Sequence, residues 1–124
     1  MKPQELRVGN FVKYGQNGFP MFVTAIGIDW LHLDFNGNES DIYECETEDV
    51  FPIPITPQWL IDNGFTVGTV LKRKNVQITP ITLDTWKVII NCDNYKTELR
   101  KNIRYIHELQ NCYYQATGKE LCER

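Results

Sequence analysis

Several features that usually identify an enzyme are missing from this sequence. Its 124 residues contain a single serine, Ser40, and no G-x-S-x-G motif surrounds it. No glycine-rich phosphate loop is present, because no glycine is followed by the Lys-Ser/Thr pair of such loops. The sequence therefore predicts no catalytic residue and no bound cofactor. An enzyme of unknown class is the least favoured alternative.

An excess of positive charge is also lacking. Lysine and arginine total 13 against 16 acidic residues, which gives a net charge of -3. Proteins that bind nucleic acids usually carry a basic excess that neutralises phosphates. One local run, Lys72, Arg73 and Lys74, lies at a predicted turn and is the candidate nucleic-acid patch. The competing interpretation is that these side chains provide solubility and protect a strand edge.

Long apolar runs are absent as well. No stretch approaches the roughly 18 apolar residues of a membrane span. The first seven residues have no apolar core, so we expect no secretory signal and a cytoplasmic location. With 42% hydrophobic and 23% charged residues, the composition is that of a folded globular protein.

Metal-binding motifs are missing too. None of Cys45, Cys92, Cys112 and Cys122 forms a C-x-x-C pair, so we expect buried free thiols. A zinc site made from the last three of these with His107 is conceivable, but the spacing does not call for it. The acidic residues Glu44, Glu46, Glu48 and Asp49 match no calcium-loop pattern and predict a solvated acidic segment.

The clearest pattern that is present is helical and lies near the end of the chain. Within residues 102–118, apolar side chains recur at helical spacing, so they form one stripe. They are Tyr105, Ile106, Leu109, Cys112, Tyr113 and Ala116. Asn102 is the predicted N-cap and Gly118 the predicted C-terminal end. Arg104 and Glu108 are spaced to form an ion pair.

The first half of the chain predicts five short strands. They cover residues 6–14, 21–26, 30–35, 41–46 and 50–55, with a hairpin at Asn36-Gly37. Pro52 and Pro54 place the fifth strand at a sheet edge, because proline has no N–H to donate. Five short strands in this length favour a small SH3-like β-barrel.

A short helix at residues 56–64 follows, with Thr56 as N-cap and either Trp59 or Leu60 as its anchor in the core. Four more strands are predicted, at residues 65–72, 76–83, 85–92 and 95–101, with turns at Lys74-Asn75 and Asp93-Asn94. The prediction is an α+β fold, in which residues 1–55 form the barrel and residues 56–124 form the helix, an antiparallel sheet and the C-terminal helix. We expect the two parts to pack as one compact unit.

Three sequence blocks carry a resemblance to known proteins. They are Leu-Arg-Val-Gly-Asn-Phe-Val at residues 6–12, Pro-Ile-Pro-Ile-Thr-Pro-Gln-Trp-Leu at residues 52–60 with Asn-Gly-Phe at 63–65, and residues 105–121. Together they resemble a group of small uncharacterised proteins from phage and prophage regions of gut Bacteroidales. The resemblance implies an intracellular, phage-associated setting and no particular activity.

The remaining candidates are surface aromatic residues. Trp30 is predicted on the outer face of its strand, and Phe19 lies in a loop beside Pro20. On the terminal helix, a strip beside the apolar stripe is made of Ile103, His107, Gln110 and Tyr114. This strip either packs on the barrel half or forms a surface for a partner or a second copy. The favoured function is a non-catalytic protein-interaction or accessory module, with an unknown protein partner and an unknown oligomeric state.

Overall fold

The computed structural model describes residues 1, 3–15, 18–34, 42–67, 71–92 and 95–122. The chain divides into two compact units, one made of residues 1–53 with Cys122 and the other of residues 54–121. This boundary lies close to the one predicted at residue 55. The predicted turns at Asn36-Gly37 and Asp93-Asn94 lie outside the described residues.

The first unit is a five-stranded antiparallel half-barrel. Its strands are β1 (Phe11–Tyr14), β2 (Pro20–Ile26), β3 (Trp30–Asp34), β4 (Ile42–Glu46) and β5 (Val50–Phe51), in the sheet order β4-β3-β2-β1-β5. The pairing of β2 with β3 shifts register between Val23 and Ala25, and such irregularities bend a sheet. The small SH3-like β-barrel predicted from the sequence is thus found as a curled antiparallel half-barrel.

The core of this unit follows strand alternation. Val12, Val23, Leu31 and Leu33 are completely buried, and the two leucines lie on the face of β3 opposite to that of Trp30, as strand alternation requires. β5 pairs with β1 alone among the described strands, as its prolines predict. It ends at Phe51, so the strand is shorter than predicted.

The short helix α1 (Pro57–Asp62) has the predicted boundaries. The Thr56 hydroxyl accepts a hydrogen bond from the Trp59 N–H at 3.2 Å. At the other end Gly64 has a φ of 91°. The N–H of Phe65 donates to the Leu60 carbonyl at 3.0 Å, which completes a Schellman C-cap. Leu60 is fully buried whereas Trp59 is only partly buried, so Leu60 is the anchor.

The second unit contains a five-stranded antiparallel meander. Its strands are β6 (Thr66–Val67), β7 (Leu71–Arg73), β8 (Val76–Pro80), β9 (Trp86–Cys92) and β10 (Tyr95–Ile103), in the order β10-β9-β8-β7-β6. The meander was predicted, but the single strand expected at residues 65–72 is in fact the two strands β6 and β7. The strand predicted to reach Leu83 ends at Pro80, and Leu83 is fully exposed.

The C-terminal helix α2 (Ile106–Thr117) packs on β9 and β10. Ile106, Leu109 and Tyr113 of the predicted stripe are completely buried, and Gly118 ends the helix with a φ of 72°. The predicted N-cap at Asn102 is wrong, because Asn102 belongs to β10. The strand continues to Ile103, which pairs with Trp86, so sheet pairing takes precedence over the local capping signal.

The start of α2 is capped by Glu108 instead. Its carboxylate accepts hydrogen bonds from the backbone N–H groups of Arg104, at 3.0 Å, and Tyr105, at 3.2 Å. The other carboxylate oxygen lies 2.9 Å from the Arg100 guanidinium. The predicted Arg104–Glu108 side-chain pair is therefore replaced by an Arg100–Glu108 pair.

Candidate interaction surface

The turn between β2 and β3 exposes large apolar side chains. Ile28 at its tip is 93% exposed, and Trp30 at the start of β3 is 37% exposed. The Gly27 N–H donates to the Trp30 carbonyl at 2.9 Å, so the turn is tight. Exposed aromatic and aliphatic side chains that lie side by side often mark recognition surfaces. We call residues 27–30 and their immediate neighbours the Trp30 surface.

The indole of Trp30 is held in place by two neighbours. It lies over Gly27, where an added Cβ would collide with the indole nitrogen and ring carbons. On its other side the His32 ring lies 4.9 Å away, centroid to centroid, at an interplanar angle of 44°. The His32 Nε2 is 3.4 Å from a Glu44 carboxylate oxygen on β4. The exposed indole therefore has a defined orientation, which favours binding.

We expect Gly27→Ala to displace the Trp30 indole without unfolding the protein. The added methyl group meets the ring itself, and because the ring is partly exposed, it can be pushed outward into solvent without disturbing the core. In a protein with Trp59→Phe and Trp86→Phe, which leaves Trp30 as the single tryptophan, the emission spectrum should shift while the far-UV circular dichroism stays the same. Gly118→Ala at the end of α2 is the contrasting variant: its φ of 72° makes the alanine strained and should lower stability, but it adds no atom near the indole and should leave the emission unchanged. An unchanged emission spectrum would show that Gly27 does not position the indole.

Acidic residues surround this surface. Glu46 pairs directly with Trp30 across the sheet, and the acidic turn Thr47–Asp49 follows it. The Thr47 N–H donates to the Asp29 carbonyl at 3.1 Å, which ties the acidic turn to the Trp30 surface. The Met1 backbone nitrogen donates to the Thr47 carbonyl at 3.0 Å. The result is an apolar patch with an acidic border.

The charges at this border repel one another. A hydrogen bond with Glu48 and the charges of Glu48 and Asp49 raise the pKa of Glu46 above its usual value. The side chain is exposed, so burial contributes little. A carboxylate whose pKa is raised by its neighbours lowers the stability of the folded state when it is ionised.

We expect Glu46→Gln to raise the thermal unfolding midpoint near neutral pH. Ionisation of Glu46 is less favourable in the folded state than in the unfolded chain, so removing the charge stabilises the fold at pH values above the folded-state pKa. The gain should disappear below about pH 4, where the carboxyl is protonated in both states. Melting curves across this range test it, and Glu44→Gln is the contrasting variant: Glu44 lies beside His32, so removing its charge should bring no gain. A gain that persists in acid would contradict this explanation.

The predicted interaction residues do not all lie together. Phe19 is 76% exposed and directly precedes β2, whereas Trp30 lies beyond the other end of that strand. Tyr114 of the helix strip is 43% exposed. His107 and Gln110 are 4% and 0% exposed, so they belong to the interior and not to an exposed surface. Their spacing placed them beside the stripe but did not indicate how much of the helix circumference is covered.

The structure gives Arg73 a different role from the one predicted. Its guanidinium donates to the Asn63 carbonyl at 2.8 Å and to the Leu121 carbonyl at 2.7 Å, and it lies 5.2 Å from the Tyr113 ring centroid. Arg73 thus connects α1, β7 and the end of the chain. Lys72 and Lys74 are exposed. Arg73, the middle residue of the predicted nucleic-acid patch, is only partly exposed, and its guanidinium bonds backbone carbonyls.

The cysteines are free thiols where the structure describes them. Cys45 and Cys112 are buried, as predicted, and Cys122 is partly buried. Burial raises the pKa of both buried thiols, and for Cys45 the charge of Asp49 adds to the effect. Within the described residues, no three histidine, cysteine or acidic side chains are grouped so that they could hold a metal ion.

Sequence reasoning identified Trp30 but missed Gly27 and Ile28. The signal was present, because Gly-Ile-Asp between two strands leaves room only for a tight turn, and an isoleucine at its tip must be exposed.

None of the helices in the described ranges is long and apolar enough to cross a bilayer. No protein-family model matches the chain, and neither curated proteins nor solved structures show a match to it.

Proposed function

We propose that this chain is a non-catalytic protein-interaction module that binds its partner through the Trp30 surface. The observation that carries the proposal is the exposed Ile28–Trp30 turn, with an indole oriented by Gly27 and His32 and bordered by carboxylates. Partly exposed tryptophans in defined orientations contribute much of the energy of protein interfaces. The phage-associated setting implied by the sequence resemblance is part of the proposal.

The charge of the border defines the partner. A segment that covers Trp30 must face Glu46, Glu48 and Asp29, and lysine or arginine side chains would relieve the repulsion among them. A cation over the indole gains a further attraction of about 0.5–2 kcal/mol. We therefore propose a protein partner that presents a basic segment beside an apolar side chain. Its binding should weaken as the salt concentration rises.

Affinity capture with quantitative mass spectrometry tests this function. The wild-type protein and the variants Trp30→Ala, Phe19→Ala and Leu83→Ser are immobilised in parallel and exposed to a lysate of the natural host. Leu83 is the matched control, since it is fully exposed in the other unit. Any protein retained by wild type and by the Leu83 variant is then purified and titrated directly.

The proposal predicts that Trp30→Ala loses the captured protein and at least tenfold in affinity in the direct titration. Such a loss corresponds to about 1.4 kcal/mol. Phe19→Ala should behave as wild type, because Phe19 lies beyond the opposite end of β2. Equal binding by wild type and Trp30→Ala would overturn the assignment of the surface. Capture of nothing by the wild-type protein would count against the function itself.

A further inference from the structure

The outer edge of the second sheet is formed by β10, which the proposed function does not use. In the sheet as described, this strand has a neighbour on one side only. All of its residues from Tyr95 to Asn102 are exposed. They include the large side chains of Tyr95, 64% exposed, and Leu99, 36% exposed. A free strand edge of this length is a template for pairing with another strand.

The direction of the free backbone groups follows from β9. The Asn91 N–H donates to the Asn75 carbonyl at 2.7 Å, so it points away from β10. Asn91 is opposite Lys96, and the two therefore form a non-hydrogen-bonded pair. The N–H and C=O of Lys96 consequently point out of the open edge. Those of Glu98, two residues further on, point the same way, whereas Thr97 faces β9.

The segment Tyr95-Lys96-Thr97-Glu98-Leu99 is complementary to itself. In an antiparallel pairing centred on Thr97, Lys96 of one copy lies opposite Glu98 of the other. Tyr95 likewise lies opposite Leu99, and the two Thr97 residues face each other. Opposite charges and aromatic–aliphatic pairs are both favourable directly across a strand pair.

We propose that two copies of this chain associate through their β10 edges, antiparallel and in register about Thr97. In this register Lys96 and Glu98 are opposite each other, and both direct their free N–H and C=O groups across the junction, as a hydrogen-bonded pair requires. The two sheets then form one continuous ten-stranded sheet with two-fold symmetry. The partner is therefore a second copy of this chain.

The C-terminal part of β10, from Leu99 to Ile103, restricts the pairing of two copies to this register. The pairing of β10 with β9 is irregular between Glu98 and Arg100 and again before Ile103, and Asn102 has a φ of 61°. Such irregularities turn a strand edge away from a partner. In a register shifted to centre on Glu98, Lys96 of one copy would lie opposite Arg100 of the other, and these like charges disfavour the shift. A junction of about five residues is small, so we expect a concentration-dependent dimer and not a permanent one.

Sedimentation equilibrium over a wide concentration range tests the proposal. The mass of the wild-type protein should rise from the monomer value of 14.5 kDa towards twice that value. Lys96→Glu places like charges opposite each other at both symmetric positions, and Glu98→Lys does the same. Each single variant should weaken association at least tenfold. The double variant, Lys96→Glu with Glu98→Lys, restores opposite charges and should associate as the wild type does.

Lys101→Glu is the matched control, because it reverses an exposed charge of the same strand outside the paired segment. It should leave association unchanged, and circular dichroism of each variant verifies the fold. A wild-type mass that stays at the monomer value at every concentration would overturn the proposal, and the irregular edge would then act as protection against pairing. Failure of the double variant to restore association would overturn the register. Neither result would affect the Trp30 surface, which lies in the other unit.

Discussion

Leu60→Ala should be among the most destabilising single substitutions in this protein, at about 2–5 kcal/mol. Leu60 is the fully buried residue of α1, and a helix of six residues is too short to persist without such an anchor. Thermal unfolding should show the midpoint falling by roughly 10–20 °C. The same substitution would also weaken the C-cap, since Phe65 folds back over this turn.

Trp59→Ala is the matched control for this prediction. Trp59 is next to Leu60 in the same helix but is only partly buried, so its removal should cost less. Its backbone N–H, which bonds the Thr56 hydroxyl, remains in the alanine variant. If Trp59→Ala were the more damaging of the two, the tryptophan would be the anchor of α1 and the assignment to Leu60 would be wrong.

Tyr113→Ala should cost about 3–5 kcal/mol, because its ring is completely buried between α2 and the sheet. The ring also faces the Arg73 guanidinium at 5.2 Å, and that attraction would be lost with it. Urea unfolding at equilibrium measures the loss directly, as a shift of the transition midpoint with an unchanged slope.

Tyr113→Phe separates the ring from the hydroxyl. Among the described residues the buried hydroxyl has no hydrogen-bond partner, and an unpaired buried polar group lowers stability. We therefore expect the phenylalanine variant to be as stable as the wild type or more stable. A loss comparable to that of Tyr113→Ala would mean that the hydroxyl makes an essential bond.

The elements that could be predicted from the sequence are those with strong local signals. Local physical requirements explain three of these signals. They are the apolar alternation around Leu31 and Leu33, the prolines that follow β5, and the capping of α1 by Thr56 and Gly64. Such requirements hold in whatever fold the chain adopts. The α+β class, the first curled sheet and the second meander followed from them.

The errors arose where distant pairing decides the outcome. Asn102 is a good N-cap by composition, but the pairing of Ile103 with Trp86 keeps it in a strand. The cap is supplied by Glu108, whose bonds to Arg104 and Tyr105 depend on where β10 ends. Similarly, no local rule distinguishes a solvated arginine from one that bonds two carbonyls, as Arg73 does.

The candidate site was predictable only in part, for a related reason. Strand alternation placed Trp30 on the outer face, and the structure shows it partly exposed. Its orientation depends on the contact with Gly27 and on the tilted ring contact with His32, and the acidic border depends on the pairing of β3 with β4. Residue types indicate which side chains are available, but register decides which of them meet.

Quenching of Trp30 fluorescence during partner binding tests the central claim most directly. The variant with Trp59→Phe and Trp86→Phe retains Trp30 as its single tryptophan. In the free protein, the acidic border should make a cationic quencher such as caesium more effective than iodide. Addition of the purified captured protein should protect Trp30 from both quenchers and shift its emission to shorter wavelengths. Unchanged quenching with the partner fully bound would show that the partner binds elsewhere and would contradict the assignment of the Trp30 surface.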